Sequence, residues 1–489
     1  MENKDFHEIF HVTAAQLDRL IAAALGQGGS YADLYFEYTT YNELTLRDGE
    51  VSSGGFHTDY GVGIRVLNGE KTGYAYSENT SMGDMLAAAK AAAMIAQGNG
   101  VRPGESLPAY GKTKGKDILP QTAADARCFP AADLYPMAKA WRDADMASFL
   151  PFLKSLEKKI STGDSRVSKV IARLAYSQSD IMMYNSSGEL RCDTRPLGSV
   201  VVSVIFMQED KAESKSVSRS FRTGSELITD ALADEVAAEA LSGIDERFDA
   251  RRPKGGRMPV VMGAGASGIL LHEAMGHAFE ADFNRKGQSI FSDRMGQKIC
   301  SSEISIVDDG TIPGNRGACN FDDEGIPGQK TSMVRDGILE SYLHDRISAR
   351  WYGTAPTGNG RRESFRFNPI PRMRATYMEN GTASKDDIIA SVKKGIYVDE
   401  FSNGQVKIGE GDFTFYVKSG RLIENGRLTA PVKDINIIGN GPEALADIVA
   451  VGNDLKIDNG TWTCGKDQNV PVSCGIPTVL VKKLTVGGE

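Results

Sequence analysis

The sequence predicts an α+β chain of two domains, an N-terminal α+β domain over residues 1–245 and a β-rich C-terminal domain over residues 246–489. Three observations predict it. The chain has 489 residues, more than a single hydrophobic core ordinarily serves. The first half alternates helix-period with strand-period segments and ends in the linker-like run Arg251-Arg252-Pro253-Lys254-Gly255-Gly256. The second half consists mostly of short strand-like runs between Gly and Asn turns. The 53 glycines of the chain call for many tight connections or for backbone that approaches a neighbour closely.

Taken in order, Thr13 and Gln16 form a capping box ahead of a helix whose apolar stripe is Leu17, Leu20, Ile21 and Leu25. From Tyr31 the period becomes two. Ala32, Leu34 and Phe36 alternate with Asp33, Tyr35 and Glu37, the pattern of a strand. Strands follow over residues 61–67 and 72–76, and Ser81 with Asp84 caps the helix MLAAAKAAAMIAQ. Residues 100–120, rich in Gly, Pro and Lys, read as a loop. Helical sequence then runs to about Lys159, an alternating meander covers residues 168–207, and a helix covers residues 225–241. After the linker, a strand over residues 259–262 and a glycine-rich turn lead into the helix LLHEAMGHAFEAD. Further helices are expected from Ser384 through Val392 and over residues 442–451, with β-structure elsewhere.

Charge excludes some functions. The formal net charge is −8, and no concentrated basic stripe provides a nucleic-acid footprint. Arg361, Arg362 and Arg366 form only a short basic run that acids can pair. No window supplies the roughly 18 continuous apolar residues of a membrane helix, and the start MENKDFHEIF lacks a secretory pattern. The six cysteines, Cys128, Cys192, Cys300, Cys319, Cys464 and Cys474, form no CxxC pair. That usage predicts thiols rather than a disulfide scaffold, and a cytoplasmic location.

Chemistry concentrates at His272-Glu273-Ala274-Met275-Gly276-His277, which holds two of only six histidines. Ile269, Leu270, Leu271, Ala274, Met275, Ala278 and Phe279 surround them, so the helix is expected to be buried. Buried histidines and the acids Glu273 and Glu280 need a partner, and a metal ion supplies one. The zincin spacing is H-E-x-x-H; here one residue more separates the histidines. On a regular helix at about 100° per residue the two side chains diverge by roughly 140°. A π-bulge, or an end to the helix, is therefore expected between Ala274 and His277, eased by Gly276. Glu273 sits where a general base acting on water at the metal belongs. A catalytic zinc takes three protein ligands. The residues leave Glu280, Asp282, Cys464 and Cys474 open as the third.

LLHEAMGHAFEAD from Leu270, DDEGIPGQ from Asp322 and RDGILESYLHDRISAR from Arg335 carry a resemblance, together with GNDLKIDNG from Gly452 and CGKDQNVPVSCGIPTVLVKKLTVGG from Cys464. Over nearly its whole length the chain resembles the TldD/PmbA peptidases, specifically the TldD-type catalytic member. The resemblance implies Zn2+ held by His272, His277 and Cys464, with Cys474 a structural thiol. It implies a predominantly antiparallel C-terminal domain carrying the metal-binding helix. It also implies hydrolysis of peptides or unfolded polypeptide segments, with Glu273 activating the water at the metal, by a homodimer or a heterodimer with a related PmbA-type subunit. A non-catalytic regulatory or scaffold subunit is the alternative, as is metal chemistry on a non-peptide amide or a redox reaction.

His344, Tyr342 and Arg346 are candidate donors to an oxyanion. His7, His11 and His57 receive no catalytic role. The run GAGASG from Gly263 is read as a strand-to-helix turn rather than a phosphate cradle, and Ser267 and Ser289 lack nucleophile-elbow surroundings. Asp308, Asp309, Asp322, Asp323 and Glu324 have no EF-hand register and read as solvated turns.

Overall fold

The computed structural model describes residues 5–97, 133–265, 267–407 and 410–488. The loop expected over residues 100–120 lies outside them. The first half is built on one antiparallel sheet: β1 (Tyr31–Arg47), β2 (Glu50–Asn68), β3 (Lys71–Ser77), β4 (Val167–Asn185), β5 (Leu190–Gln208) and β6 (Lys211–Phe221). The spatial order is β3-β2-β1-β4-β5-β6, so β1 and β4 lie at the centre, and Tyr35 is opposite both Gly63 and Met183.

Strand alternation gives this sheet two different faces. Leu34, Phe36, Ile64 and Met182 meet the helices Ala14–Leu25 and Met82–Gln97. Farther along the same face, Leu46, Leu174, Val202 and Phe206 meet the helices Leu150–Gly163 and Asp230–Leu241. The capping box of Thr13 and Gln16 forms as expected, and Ser81 caps the next helix through the Asp84 amide. On the other face Tyr35, Ile181 and Met183 pack on Phe321 and Phe365 of the second half. The central strands are thus covered on both sides.

The second half contains a seven-stranded and a six-stranded sheet. Most pairings are antiparallel. Gly256–Met262 runs parallel to Lys394–Val406, and Ala375–Met378 runs parallel to Ser473–Ile476. The core between these sheets includes Val260, Ile306, Val334, Phe415 and Val481, and it also takes in Leu270 and Leu271 of the histidine-bearing helix.

Two expectations change. The helix expected over residues 442–451 stops at Ala446; Ile448–Val451 is a strand paired with Val479–Gly487. Its β-branched residues fit a sheet edge better than another helical turn. The acids read as solvated turns are buried: Asp308, Asp309, Asp322, Asp323 and Glu324 are all at most 6% exposed. Asp308 and Asp309 are held within the second half by Asn359, Thr376 and Tyr377, while Asp323 and Glu324 lie on the seam between the halves, where arginines replace water. Arg65, fully buried, bonds Asp33 of β1 and Glu324, while Arg195 pairs with Asp323. Arg362 donates to the Asp323 carbonyl, and Arg366 reaches Asp59 and Glu78. Cys300, Cys319, Cys464 and Cys474 are free thiols, in keeping with the expectation that most cysteines are thiols, whereas Cys192 is disulfide-bonded.

Candidate metal centre

The strand Gly256–Met262 ends at a tight turn in which Gly265 takes φ +99°, a left-handed conformation suited to glycine. The helix that follows covers only Gly268–Ala274. Its first glycine lies directly on a strand: a Cβ at Gly268 would sit 2.7–2.9 Å from three backbone atoms of Gly475. The glycine run is therefore a strand-to-helix turn, as expected.

The helix breaks where the histidine spacing requires it. Met275 takes φ −131° and ψ −42°, and Gly276–Phe279 continues as a 3-10 turn. Of the two devices anticipated, the structure uses the helix end and not a π-bulge. Gly276 allows the close approach, since a Cβ there would lie 2.2 Å from the Met373 sulfur. The break brings the rings of His272 and His277 to a centroid distance of 5.4 Å at 81°.

Cys464 arrives from the far end of the chain on a two-stranded hairpin, Thr463–Lys466 with Gln468–Pro471. Arg372, fully buried, fastens both strands by donating to the Cys464 carbonyl at 2.7 Å and to the Gln468 carbonyl at 2.8 Å. One ligand atom from each of His272, His277 and Cys464 lies within 4.8 Å of the other two. The Cys464 Sγ is 3.3 Å from His277 Nε2. Donors on a tetrahedral zinc, at about 2.0–2.3 Å from the ion, stand about 3.3–3.8 Å apart, so a small contraction closes the set.

The surroundings fit a cation. Neither ring nitrogen of the buried His272 has a hydrogen-bond partner among the described residues. His277 Nδ1 lies 3.0 Å from the Glu280 carboxylate, which leaves Nε2 toward the sulfur. Glu280 is in turn held by Lys466 Nζ at 3.0 Å and by Arg372 Nε at 3.7 Å, while Lys466 also bonds Asp282 at 2.8 Å. Burial opposes charge on Cys464, but His272 and His277 outweigh it and hold the thiol down at about 5. Burial alone would lower His277; Glu280 first, then Cys464, raises it to about 10. Burial is likewise overridden at Glu280, which Lys466 and His277 hold at about 2. A thiolate facing two imidazoles is a soft, borderline donor set of the kind zinc accepts.

Glu273 is next to these three residues and partly open, with its side chain 26% exposed and Oε2 3.8 Å from His277 Nε2. The other third-ligand candidates are engaged differently. Glu280 orients His277, Asp282 pairs with Lys466, and Cys474 is a buried thiol pushed well up by burial. The suggested oxyanion donors are also committed elsewhere. Tyr342 donates to the Phe291 carbonyl and Arg346 to the Glu324 carbonyl. His344 packs between Tyr342 and Tyr352, and burial lowers it to about 4. Lys466 and Arg372 were not anticipated. Lys466 had a signal, since alternation puts it on the same strand face as Cys464; Arg372 had none.

Comparison with known proteins gives matches along most of the chain. Residues 32–96 match PmbA/TldA metallopeptidase domain 1, residues 139–244 its central domain and residues 255–488 its C-terminal domain. A metalloprotease TldD homolog of Haemophilus influenzae is 37% identical, covering 94% of this chain and 93% of its own. A zinc metalloprotease TldD homolog of Saccharolobus solfataricus is 28% identical, covering 94% and 97%. The crystal structure of TldE from Thermococcus kodakarensis has the same fold, with a TM-score of 0.73 at 19% identity, covering 97% of this chain and all (100%) of that one.

Proposed function

The chain belongs to the PmbA/TldD family of metallopeptidases, and on that premise we propose that it is a zinc-dependent peptidase acting on peptides or unfolded polypeptide segments. The observation that carries this reading is the convergence of His272, His277 and Cys464 beside a partly open Glu273. These three residues would hold the ion. Zinc, when bound, supplies a Lewis acid toward the scissile carbonyl and lowers the pKa of water. Glu273 takes a proton from the attacking water and returns it to the leaving amine. Glu280 fixes the tautomer and direction of His277, with Lys466 and Arg372 holding Glu280 in place.

The proposed division of labour follows the domain boundary at 245/246. The C-terminal domain supplies the metal ligands, and the N-terminal sheet lies against it across the seam. A homodimer or a heterodimer with a related PmbA-type subunit is the proposed assembly; the likeness to TldE motivates the second form. No helix among the described residues is long and apolar enough to cross a membrane. A cytoplasmic location remains the proposal, against which the Cys192 disulfide stands.

The test pairs zinc content with cleavage of an unstructured peptide, using the chain alone and with a related subunit. Glu273→Gln keeps its zinc and loses about 100-fold to 10,000-fold in rate, the usual worth of a positioned general base. A zinc-loaded variant with near-normal turnover overturns the role of Glu273. A wild type that binds no zinc under either condition favours the regulatory-subunit alternative.

A further inference from the structure

Between the N-terminal sheet and the second half lies a pocket of about 280 Å³, lined from the first half by Tyr35, Glu37, Ile181, Leu197 and Arg222 and from the second by Arg361 and Arg374. Arg222, Arg361 and Arg374 all line it, and each is more than nine-tenths buried. None of the three has an ion-pair partner among the described residues. Arg222 donates through Nε to the Arg316 carbonyl, and Arg374 through Nε to the Gly358 carbonyl. Arg361 reaches the carbonyls of Met373 and Pro471. The Nη groups of Arg222 and Arg374 donate to no protein group among the described residues.

The acids that line the pocket form no direct ion pair with them and are engaged elsewhere. Asp323 is engaged by Arg195 and by the Arg362 amide. Glu37 accepts from the Thr39 hydroxyl and the Phe365 amide. Glu363 is exposed and accepts from the Asn469 amide. Burial, then Arg374, pushes the Arg361 guanidinium well below its ordinary value, and burial also lowers Arg222. Guanidinium groups do not give up their protons in proteins. Three buried guanidinium groups lining one pocket without a direct ion pair are costly, and an anion in the pocket lowers that cost.

We propose that this pocket binds the carboxylate of a peptide, either its C-terminal carboxylate or an Asp or Glu side chain, and so anchors the substrate; the proposal rests on the peptidase reading above. A planar carboxylate matches the fork of a guanidinium. The aliphatic Ile181 and Leu197 suit the methylene or side chain attached to it. The volume is at the small end of ligand pockets, about 300–1,000 Å³, so it takes one group and not a length of chain. Its position suits an anchor. Asn469 and Pro471 of the pocket lie on the hairpin strand paired with the one carrying Cys464. Cys464 faces Val470 across the hairpin, and alternation turns Asn469 and Pro471 to the other side. Pocket and metal centre therefore flank one hairpin, a separation that a few extended residues at about 3.3 Å each span.

The test uses the full-length, zinc-loaded Glu273→Gln protein, which holds peptide uncleaved, and measures anisotropy of an N-terminally labelled, unstructured peptide. Three forms are compared: a free acid, its C-terminal amide, and an amide with Glu near its end. Neutralising the only carboxylate weakens binding by about tenfold to 100-fold, the worth of charge-assisted hydrogen bonds. Retained affinity in the Glu-containing amide identifies a side-chain site; retention by the free acid alone identifies the chain terminus. Arg222→Gln abolishes the preference, and Arg361→Lys, which keeps the charge but not the fork, weakens it. Equal binding of acid and amide, or no binding of either, overturns the anchor; neither comparison needs an arginine variant. Cleavage by wild type is read separately. Cleavage without carboxylate preference removes the anchor alone, and carboxylate-dependent binding without cleavage removes the peptidase reading alone.

Discussion

Replacing Glu280 with glutamine tests how the metal centre is held. The side chain is fully buried and touches His277, Lys466 and Arg372. Its acid is held at about 2 against an ordinary 4.5. At about 1.4 kcal/mol per pH unit, that difference corresponds to about 3 kcal/mol of folding stability. The sign follows from the depressed value. The contribution is present in full above pH 4.5, is lost as pH falls toward 2, and is absent below. Glu280→Gln therefore lowers stability by about 3 kcal/mol at pH 7 and flattens the acid limb between pH 4.5 and 2. Zinc affinity falls as well, by about tenfold to 100-fold, because His277 loses the partner that orients it. Denaturant unfolding across pH gives the first quantity, and zinc titration against a competing chelator gives the second. A variant whose zinc affinity stays within about threefold of wild type, although it is folded, refutes the positioning role. An unchanged acid limb refutes the electrostatic one.

Cys464→Ala lowers zinc content below one ion per chain by elemental analysis, while Cys474→Ala leaves it unchanged; the reverse result exchanges their roles. At Glu37, burial raises the acid to about 7 despite hydrogen bonds from Thr39 and Phe365. Stability is thus lost as pH rises from 4.5 to 7, and Glu37→Gln is more stable than wild type at pH 8 but equal to it at pH 4, as read by urea unfolding. Gly268→Ala forces a Cβ against the Gly475 backbone, costing about 1–3 kcal/mol. Its thermal midpoint falls and its zinc affinity drops with it, whereas an unchanged midpoint shows that the helix start can shift.

Local signals carried most of the legible fold. The Thr13–Gln16 box, the alternation from Tyr31 and the glycine turn at Gly263 each depend on neighbours within a few residues, and each is found where the sequence places it. The five-residue histidine spacing was equally informative, because a regular helix cannot turn both side chains to one ion, and the helix is found to end between them. Long-range partners were not legible. The Asp322-Asp323-Glu324 run has the composition of a surface turn, and only the arrival of Arg65 and Arg195 from distant strands makes it an interior one. Arg361 and Arg362 are adjacent in sequence, yet the second contacts Asp33 and the first meets only carbonyls. At Ile448 the error was one of period: a short apolar run after a helix cap does not reveal whether it continues the helix or joins a sheet edge.

Cys464 stands 187 residues after His277, and this spacing gives the metal centre a place in the timetable of synthesis. Closing such a span costs about 5 kcal/mol of chain entropy. At about 5–20 residues per second a ribosome needs about 10–40 s to cover it. Throughout that interval the nascent chain has both imidazoles but not Cys464. A chain that stalls, or loses its last strands to clipping, never assembles the three-ligand set. On the peptidase reading proposed above, activity therefore arises only after Cys464 has been made, and a copy cut short before that residue lacks the third ligand.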